Sequence, residues 1–206
     1  MNKRALILFV RNPELGKVKT RLAKTAGDVA ALKIYEELLR RTRAVALKVD
    51  AIRYVFYSEE IQLNDAWTED DFVKKVQSEG DLGMRMQQAF KTVFEEGARQ
   101  AVIIGSDLPD LKAEDIETAF QSLAEYDVVL GPSEDGGYYL LGLNKLIPEI
   151  FMNKSWSTEN VLSETLADLK EKSILLLDEK NDIDCVEDVT DKKLLNIIKN
   201  AQQKSN

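Results

Sequence analysis

The order of apolar runs between residues 5 and 57 constrains this chain more than any other feature. Ala5–Val10 (A-L-I-L-F-V) is apolar throughout, as a strand covered on both faces must be. A polar loop, Arg11–Arg21, comes next. From Asp28 to Lys48 the residues Val29, Leu32, Leu38, Leu39, Val45 and Ala46 recur at helical spacing. Ile52–Tyr57 (I-R-Y-V-F-Y) is β-type again. Strand, loop, helix, strand is a βαβ unit, which implies a right-handed crossover and two parallel strands.

The rest of the chain repeats this alternation. Ile61–Phe72 is polar and acidic and reads as a surface connection, and Val73–Gln77 as a short strand. Gly80–Gly83 punctuates the chain before a helix to about Gly97, with Leu82, Met86, Phe90, Val93 and Phe94 on one face. A β-branched strand follows in Ala101–Leu111 (A-V-I-I-G-S-D-L-P-D-L), stops at Gly105, and gives way to a helix over Ala113–Leu123. Asp127–Gly131 and Tyr138–Leu143 read as strands joined by Pro132–Gly137. The chain closes with a helix over Ser157–Glu171 capped by Ser157 or Thr158 and a short strand at Ser173–Leu177. An acidic loop, Asp178–Asp188, precedes a terminal helix to about Ala201. No repeat or linker divides the sequence. The expectation is one α/β domain over residues 1–206, Rossmann-like, with a mostly parallel central sheet and helices on both faces. Residues 201–206 are expected to fray.

Composition narrows the chemistry. The chain has no histidine and one cysteine, Cys185. Histidine-based triads, zinc and iron sites are therefore absent, and no intrachain disulfide can form. What remains is carboxylates, Lys and Arg, hydroxyls, backbone amides and a hard metal. A net charge of −8 argues against a nucleic-acid partner. There is no apolar run of membrane-spanning length, and Met1–Arg4 leads straight into a strand. No membrane partner is expected, and the expected location is the cytoplasm.

Four segments could carry that chemistry, each at the end of a predicted strand or beside one. Arg11, Lys17, Lys19 and Arg21 crowd into one loop beside Gly16, a local excess of cations suited to phosphate oxygens; a merely solvated basic loop is the alternative. The spacing is not that of a P-loop, and no G-x-G-x-x-G occurs. Asp107 follows a buried strand, where it either caps the next helix or grips a hard cation. Glu134, Asp135, Gly136 and Gly137 form either a plain hairpin turn or a substrate loop. Asp182 and Asp184 share a face if the acidic loop is extended. On this stretch alone the two readings of Asp107 stand even; if Asp107 grips the cation, Asp110 takes the role of cap or turn residue before the helix.

Taken together and in order, R-N-P-E-L-G-K-V-K-T-R-L, G-D-L-G-M-R-M-Q-Q-A-F, G-S-D-L-P-D-L, G-P-S-E-D-G-G-Y-Y-L-L-G-L and D-I-D-C-V-E-D-V resemble a bacterial family of GT-A-type nucleotide-diphospho-sugar transferases, also described as arsenosugar-biosynthesis glycosyltransferases. The resemblance runs from Phe9 to about Val189. It implies a nucleotide lying over the C-terminal strand edge, with Arg11, Gly16, Lys19, Arg21, Asp81 and Arg85 as nucleotide- or phosphate-binding residues. It further implies Asp107 as ligand to Mg²⁺ or Mn²⁺ and Asp184 as the second carboxylate. Relatives of this family include nucleotidyltransferases acting on molybdopterin, methylerythritol phosphate and phospholactate. Many GT-A enzymes carry Asp-x-Asp, whereas this chain has Ser106-Asp107-Leu108 and so resembles the nucleotidyltransferase branch as much as the other.

The expected activity is metal-dependent glycosyl transfer from a nucleotide-sugar to a small acceptor, with Asp135 (failing that, Glu134) as base toward the acceptor hydroxyl. The alternative is nucleotidyl transfer from a nucleoside triphosphate to a phosphorylated small molecule, with release of pyrophosphate. A third reading is a nucleotide-binding module without turnover.

Overall fold

The βαβ unit is present and carries an additional short helix. The computed structural model describes residues 3–204. β1 (Arg4–Val10) is followed by two helices, α1 (Thr20–Ala26) and α2 (Asp28–Ala46), and then by β2 (Ile52–Tyr57). β1 and β2 pair in parallel, in register from Ala5 with Ile52 to Val10 with Tyr57. α1 falls between the loop read as Arg11–Arg21 and the helix read from Asp28, mostly on residues to which the sequence reading gave no element. It is only seven residues long, too short to show a period, and Gly27 (φ 82) breaks the chain before α2.

The remaining elements are β3 (Val73–Val76), α3 (Leu82–Glu95), β4 (Gln100–Ile104), α4 (Ala113–Ser122), β5 (Val128–Pro132), β6 (Tyr138–Leu143), α5 (Val161–Asp168), β7 (Ile174–Leu176) and α6 (Lys192–Lys204). A 3₁₀ turn at Pro148–Phe151 was not foreseen. The seven strands form one sheet in the order β3-β2-β1-β4-β6-β5-β7. Only β6 runs against its neighbours β4 and β5; the other pairs are parallel.

Alternation along β1 shows why its residues are all apolar. Leu6, Leu8 and Val10 join the layer that contains Tyr35 and Leu39 of α2 and Ile116, Ala119 and Phe120 of α4. Ala5 and Ile7 join the opposite layer, with Met86, Ala89, Phe90 and Val93 of α3. A third cluster seats α6, through Leu194 and Ile198, on Leu22 of α1 and Ile34 and Leu38 of α2. Helices therefore cover both faces, and the loops after β1, β4 and β5 open at one sheet edge.

Two expected caps differ. α5 begins after Asn160, because Ser157 adopts a left-handed conformation (φ 64) and Thr158 spends its hydroxyl on the Ser155 carbonyl, 2.6 Å away. α4 is not capped by Asp110. The Asp115 carboxylate accepts from the Lys112 amide at 2.9 Å, and Asp110 instead faces the Lys180 ammonium at 3.8 Å. At the C-terminus α6 runs through Lys204, beyond the helix end expected at about Ala201; Ser205 and Asn206, at the end of the tail expected to fray, lie outside the described residues.

The seat of α6 is charged at its edge. Glu37 on α2 accepts from Arg40 (2.7 and 2.8 Å) and Arg41 (3.0 Å) and pairs with Lys193 of α6 at 2.9 Å. Arg41 also pairs with Asp191, through contacts of 3.0 and 3.2 Å. Hydrogen bonding, chiefly from Arg40 to Glu37 and from Arg41 to Asp191, holds both carboxyls below the usual carboxylate range. Each is more acidic folded than unfolded. Their stabilisation is complete above the unfolded values near pH ~4 and is lost as the pH falls through the folded values. Urea unfolding at a series of pH values should show stability dropping below about pH 4. Glu37→Gln should flatten that drop while costing ~2 kcal/mol at neutral pH, the scale of a hydrogen bond to a charged group.

Candidate active site

The loop after β1 is fixed before its cations are placed. Asn12 is buried and pins it to the end of β2. Its side-chain amide donates to the Glu60 carbonyl (2.8 Å), and its Oδ1 accepts from the Glu59 amide (3.1 Å). The Lys17 amide closes a turn onto the Glu14 carbonyl, in which Gly16 supplies the positive φ of 76. Lys17 itself is drawn outward to Glu14 and Glu59. Val18 is buried beneath, and Lys19 then takes a left-handed conformation (φ 47, ψ 47) at the N-cap of α1. A lysine held in that region is unusual and marks a position whose side chain has been given a specific direction.

That direction is inward. The Lys19 side chain is 5% exposed, and its Nζ lies 2.9 Å from Asp107 Oδ2 and 3.6 Å from Asp184 Oδ1. Arg21, one helical step on and exposed, reaches the other oxygen of Asp184 at 2.9 Å. Asp107 sits beyond the end of β4, and its carbonyl accepts from the Ile183 amide at 3.1 Å, which ties the acidic loop to the β4 loop. Ile183 is buried, so Asp182 and Asp184 are held at the site from either side of an anchor. The Asp188 carboxylate completes the loop by accepting from the amides of Asp184 (2.9 Å) and Cys185 (2.7 Å). Cys185 Sγ donates to the same carboxylate, and that hydrogen bond is the first cause of a thiol pushed up to about 11.

Negative charge is in excess at this point. Burial, then the charges of Asp135 and Asp184, push the Asp182 carboxyl up to about 6; Lys19 pulls it down and Asp107 adds to the rise. Asp182 is thus the group on which the charges of Asp135, Asp184, Lys19 and Asp107 act together. Among the described residues no group of three or more His, Cys, Asp or Glu side chains forms a ready-made metal cage. Asp107 and Asp184, which converge on the Lys19 ammonium, nevertheless make a hard, all-oxygen donor pair. Such a pair fits Mg²⁺ or Mn²⁺, which take their remaining ligands from water and substrate phosphates.

Other candidates fall elsewhere or do other work. The backbone of Arg11 is clamped by Tyr35, which accepts from the Arg11 amide at 2.7 Å, while the Arg11 residue is exposed. Arg11 lines a cavity of about 180 Å³ with Tyr57 and Trp67. Asp81 caps α3 by accepting from the Met84 amide (2.9 Å), and Arg85 Nε donates to the Gly80 carbonyl (2.9 Å). Both are held within the start of α3 rather than against Lys19. Asp135 faces Asp182 electrostatically, but its Oδ1 is taken up by the turn: the Ser133 hydroxyl and the Gly137 amide (3.0 Å) both donate to it. Glu134 is exposed, and its amide donates to the Lys180 carbonyl at 3.1 Å. Gly136 (φ 85) lies against the backbone of Glu159, and its carbonyl accepts from the Leu162 amide.

Two residues of the site, Tyr35 and Asn12, escaped sequence reasoning, and a third, Asp182, was given no role of its own. Tyr35 belongs to the buried face of α2, where an aromatic reads as core; its polar tip beneath two loops is the one available signal. Asn12 gave none beyond being a polar residue at a strand end. Asp182 was visible only as the partner of Asp184 on an extended face.

With this geometry in place, the similarities are informative. A solved structure from Desulfovibrio desulfuricans G20, provisionally named a nucleotide-diphospho-sugar transferase, is 26% identical. It covers 99% of this chain and 98% of its own, with a TM-score of 0.85. The inositol-1-phosphate CTP transferase of T. maritima shares the fold at 15% identity, covering 98% and 97% of the two chains with a TM-score of 0.58. A curated relative, the 2-phospho-L-lactate guanylyltransferase of Methanocaldococcus vulcanius, is 27% identical over 138 residues, which is 67% of this chain and 61% of that protein. The chain thus spans less than two thirds of that relative's length. The fold is that of nucleotidyl- and sugar-transferases. The sequence profile described as "Uncharacterized protein conserved in bacteria (DUF2064)" matches residues 41–158, more than half of the chain, and the protein belongs to that family.

Proposed function

We propose that this single-domain protein is a metal-dependent nucleotidyltransferase, joining a nucleoside monophosphate from a triphosphate donor to a phosphorylated small molecule. The observation that carries this reading is the state of Asp135. Inverting glycosyl transfer to a hydroxyl acceptor needs a base, and the residue expected for that task spends its Oδ1 on Ser133 and Gly137. A phosphate monoester already carries its nucleophilic charge near neutral pH and needs no base. Its oxygen attacks the α-phosphorus of the donor, a new P–O bond forms, and the bond to the β-phosphate breaks with pyrophosphate leaving.

The chain's own groups serve this step by charge. Lys19, Arg21 and Arg11 pair with phosphate oxygens, in keeping with a local cation cluster on an acidic protein. Asp107 and Asp184 hold Mg²⁺ or Mn²⁺, which neutralises charge building on the leaving group when bound. Asp81 and Arg85, at the start of α3, bound the nucleotide side. Glu134, Gly136 and Gly137 shape the acceptor side. The guanylyltransferase relative supports the same chemistry.

A second reading, glycosyl transfer from a nucleotide-sugar, draws on the near full-length similarity to the D. desulfuricans protein. Product analysis separates the two. Incubation with nucleoside triphosphates, Mg²⁺ or Mn²⁺ and a panel of phosphorylated metabolites should release pyrophosphate. Release of nucleoside diphosphate from a nucleotide-sugar panel, without pyrophosphate from the first, would reverse the assignment. Asp135→Asn should keep turnover within a few-fold of wild type, since an amide oxygen still accepts the two turn hydrogen bonds. A general base at that position would instead be worth ~10²–10⁴-fold. No membrane or nucleic-acid partner enters this scheme; none of the helices among the described residues is long and apolar enough to cross a membrane. We place the reaction in the cytoplasm.

A further inference from the structure

We propose that Tyr35 is the positioning residue that sets the basic loop in register with the Asp107 loop, so that cations and carboxylate grip one nucleotide. The proposal rests on the nucleotide-binding reading above.

Tyr35 lies in the middle of α2 and is 2% exposed. Its ring is part of the layer between the sheet and α2, which explains a bulky apolar body but not a hydroxyl. The hydroxyl lies at the junction of two loops that come from different strands. It accepts from the Arg11 amide (2.7 Å), reaches the Arg11 carbonyl (3.2 Å), and meets the Ser106 hydroxyl at 3.3 Å. A phenol has one donor hydrogen and two acceptor sites, and these three contacts use all of them. Ser106 is itself buried and directly precedes Asp107. One oxygen on a rigid helix therefore holds the residue that starts the cationic loop and the residue that precedes the putting-in of the carboxylate at the β4 end.

The clamp is durable. Burial, with the Asp107 charge as the next cause, drives the phenol far above its ordinary range, so the donor hydrogen is retained at every working pH. Phenylalanine would fill the same volume and keep the core, but would leave the Arg11 amide and the Ser106 hydroxyl without this partner. A tyrosine serving only as core would lose stability on that change and nothing more. One serving as register device would also lose nucleotide affinity under conditions where the fold is intact.

The test uses the full chain as wild type, Tyr35→Phe, Ser106→Ala and the double variant. Each is checked for folding by circular dichroism and then titrated calorimetrically with Mn²⁺ and a nucleoside triphosphate, well below the melting temperature. Tyr35→Phe should weaken nucleotide binding about 10- to 100-fold, the usual effect of losing a group that orients a ligand-bearing residue. Ser106→Ala should weaken it less, and the double variant should be no worse than Tyr35→Phe alone, since both act through one junction. Unchanged affinity in folded Tyr35→Phe overturns the proposal. Should that variant not fold, an unchanged affinity in Ser106→Ala overturns it equally. If wild type itself binds no nucleotide, the functional reading fails, and amide hydrogen exchange decides the clamp on its own. Protection of the Arg11 amide should collapse in Tyr35→Phe while the amides of β1 stay protected; retained protection of Arg11 overturns the clamp.

Discussion

Asp107→Asn should abolish metal-dependent nucleotide binding while leaving the fold intact. The substitution keeps the shape of the side chain and removes one of the two charges that converge on Lys19. With a single carboxylate left, Asp184, the donor set no longer suits a hard divalent cation, and turnover should fall by ~10²–10³, the cost of deleting one electrostatic stabiliser of a developing charge. Thermal shift with a nucleoside triphosphate, with and without Mn²⁺, reads this directly. Wild type should gain about 2.7 kcal/mol at a hundredfold excess over Kd, and the variant should gain nothing from the metal. Asp110→Asn is the control. That residue is exposed and faces Lys180 at 3.8 Å, so it should behave as wild type. A metal-dependent shift surviving in Asp107→Asn would remove the residue from the site.

Gly136→Ala should produce the largest loss of stability among single conservative changes at this edge. The residue has φ 85, and a Cβ there would lie 2.2 Å from the Glu159 carbonyl oxygen and 2.6 Å from its carbonyl carbon. The obstacle is backbone, so no side-chain rotation relieves it. Left-handed strain and overpacking each cost ~1–3 kcal/mol. A total of roughly 3 kcal/mol lowers the melting temperature by about 6–12 °C in a chain of this size. Gly97→Ala makes the comparison clean. Its φ is 97, but nothing lies within 4 Å of the added Cβ, so only the strain of about 1 kcal/mol is expected. Similar melting temperatures for the two variants would mean that the turn and the segment before α5 are not held together as described.

The architecture was legible because it rests on patterns that survive in one dimension. β1, β2, β4 and β5 are apolar runs whose two faces meet different helices, and the loop, helix and strand after β1 fix handedness and pairing. Short pieces were not legible. α1 and the 3₁₀ turn at Pro148–Phe151 contain too few residues to display a period, and their borders are set by Gly27 and by packing. The site was legible as a set of charged loops at strand ends, since Lys19, Asp107 and Asp184 are conspicuous in sequence and meet in space. What each loop does with its residues was not. Whether Asp135 faces a substrate or closes a turn depends on the Ser133 hydroxyl and the Gly137 amide, and whether Asp110 caps α4 depends on Asp115 reaching back to Lys112. Tyr35 was hidden for the opposite reason: its ring obeys the helical pattern so well that its hydroxyl draws no notice.

The left-handed Lys19 has one more consequence. Its ammonium serves the carboxylate pair as an internal counter-ion, and the strained backbone at the start of α1 restricts where that charge can go. On the proposed function, a divalent cation arriving alone competes with a tethered ammonium for the same oxygens. A nucleotide arriving with the cation offers the ammonium a phosphate in exchange. Metal and nucleotide are then thermodynamically linked, each raising the other's affinity by the same factor. The protein would thereby ignore free Mg²⁺ and respond to the metal–nucleotide complex as a unit.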